Sequence, residues 1–248
     1  MGWPSPSHVP VADRPCRAVG FGIAVHVARF GVIVLGLEIA PLLGITGWYS
    51  GLFTNALCVA FAVSLVTYLG LWRCIGATTL WRGRRAGLLL LVPLGEALLW
   101  LLPDGLIEKP PGFGLWALTL LLVGVNEELI SRGVVLERMR CVFNPYPAVA
   151  ITAVLFGLQH LSAFATTSRD AYDIVTNVLV SACYGFALAA VQFRFAWILP
   201  LILIHGLADF TTILTSGGLS DLAVVGTLVV FVTYGILMIR GAPRRGAA

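Results

Sequence analysis

The stretch NEELISR, residues Asn126 to Arg132, lies between two runs that read as membrane, WALTLLLVGV (116–125) and GVVL (133–136). An ionisable side chain in hydrocarbon costs on the order of 3 kcal/mol and is a functional candidate by default. Here two adjacent carboxylates and an arginine fall where lipid is expected. The rest of the chain makes that expectation firm: of 248 residues, 58% are hydrophobic and only 11% charged, and the mean hydropathy is +0.93. Such a composition excludes an ordinary soluble domain and indicates a polytopic, all-α membrane bundle. The formal net charge of +4 does not point to nucleic acid, because the basic residues cap apolar runs instead of forming a patch with interleaved aromatics.

A window of about 20 residues finds eight candidate spans, at 18–43, 51–72, 86–102, 114–132, 147–163, 175–193, 196–214 and 221–240. With the N-terminus inside, Arg14, Arg17, Arg73, Arg82, Arg84, Arg85, Arg138, Arg140, Arg194, Arg240, Arg244 and Arg245 all fall in the cytoplasm. Lys109 and Arg169 fall outside. That asymmetry is what the positive-inside rule requires of an even number of spans with both termini cytoplasmic. The expected organisation is a short cytoplasmic lead (1–17), one transmembrane domain (18–240) and a cytoplasmic tail (241–248). The lead is polar and proline-rich, without the charged start and apolar core of a cleaved signal. Cys16, Cys58, Cys74, Cys141 and Cys183 lack CxxC spacing, so they read as small buried apolar residues and not as a disulfide or thiolate-zinc framework. No internal repeat is visible, which speaks against transporter folds built from duplicated halves.

Within the spans the ionisable residues are His26, Arg29, Glu38, Glu96, Glu127, Glu128, Arg132, His160, His205 and Asp209. Glu128 and Arg132 are four apart on one helix face and are expected to pair, while Glu127 is turned away by about 100°. The paired carboxylate then serves structure, and the less compensated Glu127 is the candidate general base. Arg29 and Glu38 are about 13 Å apart along a helix and cannot pair; Glu96 is the expected partner of Arg29. No role is assigned to His26, Glu38 or Asn126. The next span ends in FGLQH, with Phe156 one turn before His160, and the seventh contains HGLAD, with His205 one turn before Asp209. Phe156 reads as core filler. Carboxylates and imidazoles from three helices are suited to activating water and stabilising the charge that forms on a carbonyl.

Together, EELISR as EExxxR with Gly133 after the arginine, FGLQH as FxxxH and HGLAD as HxxxN/D resemble the three motifs of the CPBP family. That family groups CAAX prenyl endopeptidases with bacteriocin-processing enzymes, and the resemblance covers about residues 114–214. It implies a metal-free, glutamic-type intramembrane endopeptidase without a cofactor. In that scheme Glu127 and His160 activate the attacking water, Glu128 and Arg132 support the site, and His205 with Asp209 faces the oxyanion. Many relatives carry asparagine at the last position, which can donate a hydrogen bond; ionised Asp209 cannot. The i,i+4 spacing favours Asp209 as the group that orients His205. Cleavage within a membrane also calls for a polar cavity open to water and a locally unwound substrate.

Two alternatives stand beside this reading. Glu127, Glu128, His160, His205 and Asp209 are all plausible zinc ligands, although no HExxH is present. The same groups also suit a proton-coupled transport path, or a site that only binds a peptide or lipid. The expected partners are the bilayer and a membrane-anchored protein or peptide, with no nucleic acid. Nothing in the chain encodes a prenyl pocket or an oligomeric state. Fifteen arginines against one lysine suggest a GC-rich prokaryotic genome and hence the plasma membrane.

Overall fold

The computed structural model describes residues 15–242. The expectations for residues 1–14 and 243–248, with Arg14, Arg244 and Arg245, lie outside the described residues. Eleven α-helices follow in chain order: α1 (Pro15–Leu42), α2 (Trp48–Tyr68), α3 (Arg84–Leu89), α4 (Leu91–Leu99), α5 (Phe113–Glu128), α6 (Leu136–Val142), α7 (Pro145–Leu158), α8 (Ala163–Thr166), α9 (Ala171–Phe195), α10 (Ile198–Leu214) and α11 (Asp221–Arg240). A π-helical segment, Leu129–Val135, joins α5 to α6 without a break, and a 3-10 turn, Gln159–Ser162, joins α7 to α8. The extended pairing among the described residues is a single bridge, Leu106 to Thr215.

Among the described residues, six helical stretches are long and apolar enough to cross a bilayer: 15–42, 48–68, 113–142, 145–166, 171–195 and 221–240. The apolar helix Ile198–Leu214 is shorter. The third expected span, 86–102, is broken into α3 and α4, and its helices end at Leu99. Pro93, in the first turn of α4, has no N–H to offer the carbonyl of Leu89, so a continuous helix is interrupted there. With that broken pair included, the architecture corresponds to the eight segments read from hydropathy. The helix α1 begins at Pro15, so residues 15–17 of the expected lead are helical. Large aliphatic side chains such as Val27, Leu35, Leu179, Leu203 and Val229 are exposed, as expected of surfaces solvated by lipid. The chain is an integral membrane protein.

Within the bundle α7 and α11 pack on α9, α10 packs on α5, and α1 packs on α2. Small residues set the closest approaches, as is usual where helices meet in lipid. A Cβ added to Gly124 on α5 would stand 2.7 Å from the Ile202 carbonyl oxygen and 3.1 Å from the Gly206 nitrogen on α10. At Gly157 on α7 it would meet the Val178 carbonyl oxygen of α9 at 2.6 Å. The turn from α9 to α10 is anchored to the loop after α2. Gln192 donates to the Ile75 carbonyl at 3.0 Å and accepts from the Trp197 amide at 2.9 Å. Gly76, with φ 68°, lies directly against the Ala196 carbonyl, where any side chain would collide.

Among the cysteines only Cys58 is buried; Cys16 and Cys141 are exposed and all five are unpaired. The expectation of small buried residues therefore holds for Cys58 and is corrected for the other two, which lie on outward helix faces.

The contact of α5 with α10 gives a direct test. Gly124→Ala should lower the thermal unfolding midpoint of the detergent-solubilised protein, because overpacking a tight contact costs about 1–3 kcal/mol. Gly20→Ala on α1, where nothing lies within 4 Å, should be neutral or slightly stabilising.

Candidate active site

The NEELISR stretch begins at the last turn of α5 and runs into the π-helical segment. Asn126, Glu127, Glu128, Ser131 and Arg132 are all buried, with Glu128 and Arg132 at 0% exposure. They face neighbouring helices, not lipid. Glu128 and Arg132 pair as expected, with Arg132 Nη1 2.9 Å from Glu128 Oε1. The π-helical turn preserves this because residues four apart still share a face when the helix widens. The guanidinium also lies 4.0 Å over the Phe156 ring. Phe156 is 1% exposed and stands between two imidazoles, its centroid 5.4 Å from His160 and 5.8 Å from His205. It is core, as read from sequence, and it is also the apolar wall between the two histidines. Gly185 on α9 makes room for it, since a Cβ there would meet Phe156 at 2.8 Å.

Glu127 is not the less compensated carboxylate. Arg29 Nη2 on α1 donates to its Oε1 at 2.8 Å, and Gln159 Nε2 donates to its Oε2 at 3.0 Å. The expected pairing of Arg29 with Glu96 is thereby corrected: Arg29 turns to α5, and Glu96 instead accepts from Trp100 Nε1 at 2.9 Å, one turn along its own helix. Asn126, unassigned from sequence, accepts from Arg29 Nε at 2.7 Å. His26, also unassigned, holds Gln159 Oε1 through Nδ1 at 3.1 Å. Glu38 is exposed on α1.

His205 on α10 joins the two carboxylates. Its Nδ1 donates to Glu128 Oε1 at 2.7 Å, while Nε2 faces Glu127 Oε2 at 3.8 Å and Asp209 Oδ2 at 3.7 Å. The close orienting contact therefore comes from Glu128, and Asp209 stands beyond hydrogen-bond length. This departs from the orientation expected of the i,i+4 pair, because the aspartate and Glu128 address opposite ring nitrogens. Asp209 is only partly buried, with 30% of its side chain exposed. His160 sits in the 3-10 turn, its Nδ1 3.1 Å from the Phe156 carbonyl and its Nε2 3.5 Å from Ser181 Oγ. A carbonyl only accepts, so Nδ1 carries the proton and Nε2 of the neutral ring is left as the acceptor. His160 and Glu127 interact electrostatically, with no direct hydrogen bond between them among the described residues.

All six expected residues thus lie in one neighbourhood, drawn from α5, the π-helical segment, the 3-10 turn and α10. Sequence reasoning missed Gln159 and Asn126 as members, although both stand in the quoted motif stretches. Among the described residues, no three His, Cys, Asp or Glu side chains converge as a metal-ligand set. A cavity of about 490 Å³ lies at the turn between α1 and α2, lined by Gly44, Ile45, Thr46, Tyr49, Leu52, Phe53 and Ala56, and no site residue borders it. Glu127 at 7% and His205 at 3% exposure are buried in the site, while Asp209 keeps 30% of its side chain exposed.

Residues 109–211 match the family model described as Type II CAAX prenyl endopeptidase Rce1-like. That segment, about two fifths of the chain, is similar to this family of CAAX-type intramembrane proteases, which bears out the resemblance of its motifs to the CPBP group. The matched segment contains every motif residue from Glu127 to Asp209, while α1 with His26 and Arg29 lies outside it. No curated protein and no solved structure matches the chain.

The couple of Glu128 and Arg132 makes a stability prediction. Arg132→Met alone leaves a buried carboxylate without its guanidinium and should cost about 3–5 kcal/mol. The double replacement Glu128→Leu with Arg132→Met should recover most of that loss in the thermal unfolding midpoint. A double variant no more stable than the single one would show that the pair is not the unit.

Proposed function

We propose that the chain is a glutamic-type intramembrane endopeptidase that hydrolyses a peptide bond of a membrane-anchored protein or peptide. Water between Glu127 and His160 loses a proton to Glu127 as its oxygen attacks the scissile carbonyl. The carbonyl electrons move to oxygen, and the oxyanion accepts a hydrogen bond from His205 Nε2–H. Collapse expels the amine, which takes up the proton first given to Glu127. The products are a new carboxylate and a new amino terminus. Asp209 faces the donating nitrogen of His205, and Glu128 with Arg132 holds the ring in place.

The observation that carries this reading is that Glu127 Oε2 and His205 Nε2 face each other 3.8 Å apart, too far for a direct hydrogen bond. A base and an oxyanion donor are wanted on either side of a carbonyl carbon. Charge balance supports the donor role. Glu127, Glu128 and Asp209 are matched by Arg29, Arg132 and a doubly protonated His205, so this buried cluster is neutral when Nε2 carries a proton.

Metal-free chemistry is part of the proposal. Each of the two adjacent carboxylates is already ion-paired to a guanidinium, and a dication there would stand beside two fixed positive charges. The cell context we infer is a prokaryotic plasma membrane with both termini cytoplasmic. The substrate is a membrane-anchored tail, leader or signal peptide, with no requirement for a prenyl group.

Purified protein in detergent or liposomes should cleave a membrane peptide, and Glu127→Gln should lower kcat by about 10²–10⁴ with its unfolding midpoint retained. Parent-like cleavage by Glu127→Gln would remove Glu127 as the base. Solute uptake without cleavage would instead favour transport. Exhaustive chelation should leave activity intact; loss on chelation with rescue by zinc would replace the glutamic mechanism with a metal-dependent one.

A further inference from the structure

Arg29 lies on α1, outside the matched segment, yet its guanidinium reaches two consecutive residues of the motif stretch. Nε donates to Asn126 Oδ1 at 2.7 Å and Nη2 to Glu127 Oε1 at 2.8 Å. Asn126 and Glu127 point about 100° apart on a helix, so one rigid fork spanning both fixes the roll of α5 at this point. The other oxygen of Glu127 is held independently. Gln159 Oε1 faces two donors, His26 Nδ1 at 3.1 Å and Arg29 Nη1 at 3.4 Å. Those donors require the carbonyl end of the amide on that side. Its Nε2 is thereby committed to Glu127 Oε2 at 3.0 Å. Asn126 is fixed in turn, since its Nδ2 donates to the Leu122 carbonyl at 2.9 Å and leaves Oδ1 for the arginine.

We propose that Arg29, with Gln159 as its second arm, is a positioning residue for Glu127. Arg29 occupies Oε1, so Oε2, the oxygen turned toward His205, is the one that receives the proton of the attacking water. Turning the carboxylate the other way requires breaking both contacts at once. A lysine cannot reproduce this arrangement, because an ammonium is a point charge without the planar fork. The inference rests on the reading of Glu127 as the base and extends the reacting assembly to the first helix.

The test compares kcat and KM of the full-length protein, Arg29→Met, Arg29→Lys, Gln159→Leu and Glu127→Gln on one membrane peptide, with unfolding midpoints measured alongside. Arg29→Met is expected to lower kcat at least about 100-fold while KM stays within about threefold, since a misplaced base affects the chemical step more than binding. Arg29→Lys should fall between that variant and the parent. Gln159→Leu, which keeps the ion pair, should lower kcat about tenfold. Arg29→Met with parent-like kcat, or with its loss confined to KM, overturns the proposal while an inactive Glu127→Gln leaves the base assignment standing. Should Arg29→Met fail to fold, Gln159→Leu decides, and parent-like kcat there overturns the two-armed clamp. An active Glu127→Gln removes the base assignment itself and the clamp with it.

Discussion

Hydrocarbon tolerates a carboxylate only when its charge is met within the protein, and two adjacent carboxylates need separate answers because they point in different directions. Glu128 is answered from its own helix by Arg132 and from α10 by His205. Glu127 is answered from α1 by Arg29 and from the 3-10 turn by Gln159. These four contacts tie α1, α5, the end of α7 and α10 to one point. The remaining packing makes that convergence geometrically available. Gly124 lets α10 approach α5, and Gly185 lets Phe156 and Arg132 stack beside α9.

The π-helical segment belongs to the same constraint. A π insertion shifts the side chains that follow it relative to those before, and such insertions are frequent at functional sites. Here all seven residues from Leu129 to Val135 are buried, so the widened turn faces protein on every side. Its placement directly after Glu128 allows Arg132 to reach back to the carboxylate and over the Phe156 face. Histidine tautomers follow from fixed acceptors. The Phe156 carbonyl and the Glu128 carboxylate each hold an Nδ1, and both rings keep Nε2 for other partners.

Much of this was legible in the chain. Hydropathy located the apolar segments, and the spacing of Glu128 with Arg132 anticipated their pair. The motif stretches located the carboxylates that face His205. What one sequence could not supply was which distant helix answers which charge. Arg29 was recognisable as needing a partner, but spacing does not say whether Glu96 or Glu127 meets it, and the packing of α1 against the π-helical segment and α6 decides. The same gap made Glu127 read as the less compensated acid. Gln159 and Asn126 were in view within FGLQH and NEELISR, and a polar amide buried in an apolar helix was the available signal. Periodicity reports which face such a group occupies, not what stands opposite it. Likewise, Asp209 at i,i+4 from His205 was close in spacing, whereas the ring nitrogen it addresses depends on the position of Glu128 on another helix.

In the proposed mechanism water attacks the scissile carbonyl directly, with Glu127 accepting its proton. A single-turnover cleavage in H₂¹⁸O, followed by mass spectrometry of the product peptide and of the protein segment carrying Glu127, tests this most directly. Direct attack puts ¹⁸O in the new carboxyl terminus of the product and none in the Glu127 carboxylate. Label appearing in Glu127, as water attack on the glutamyl carbon of an acyl-carboxylate intermediate leaves it, would rule direct attack out.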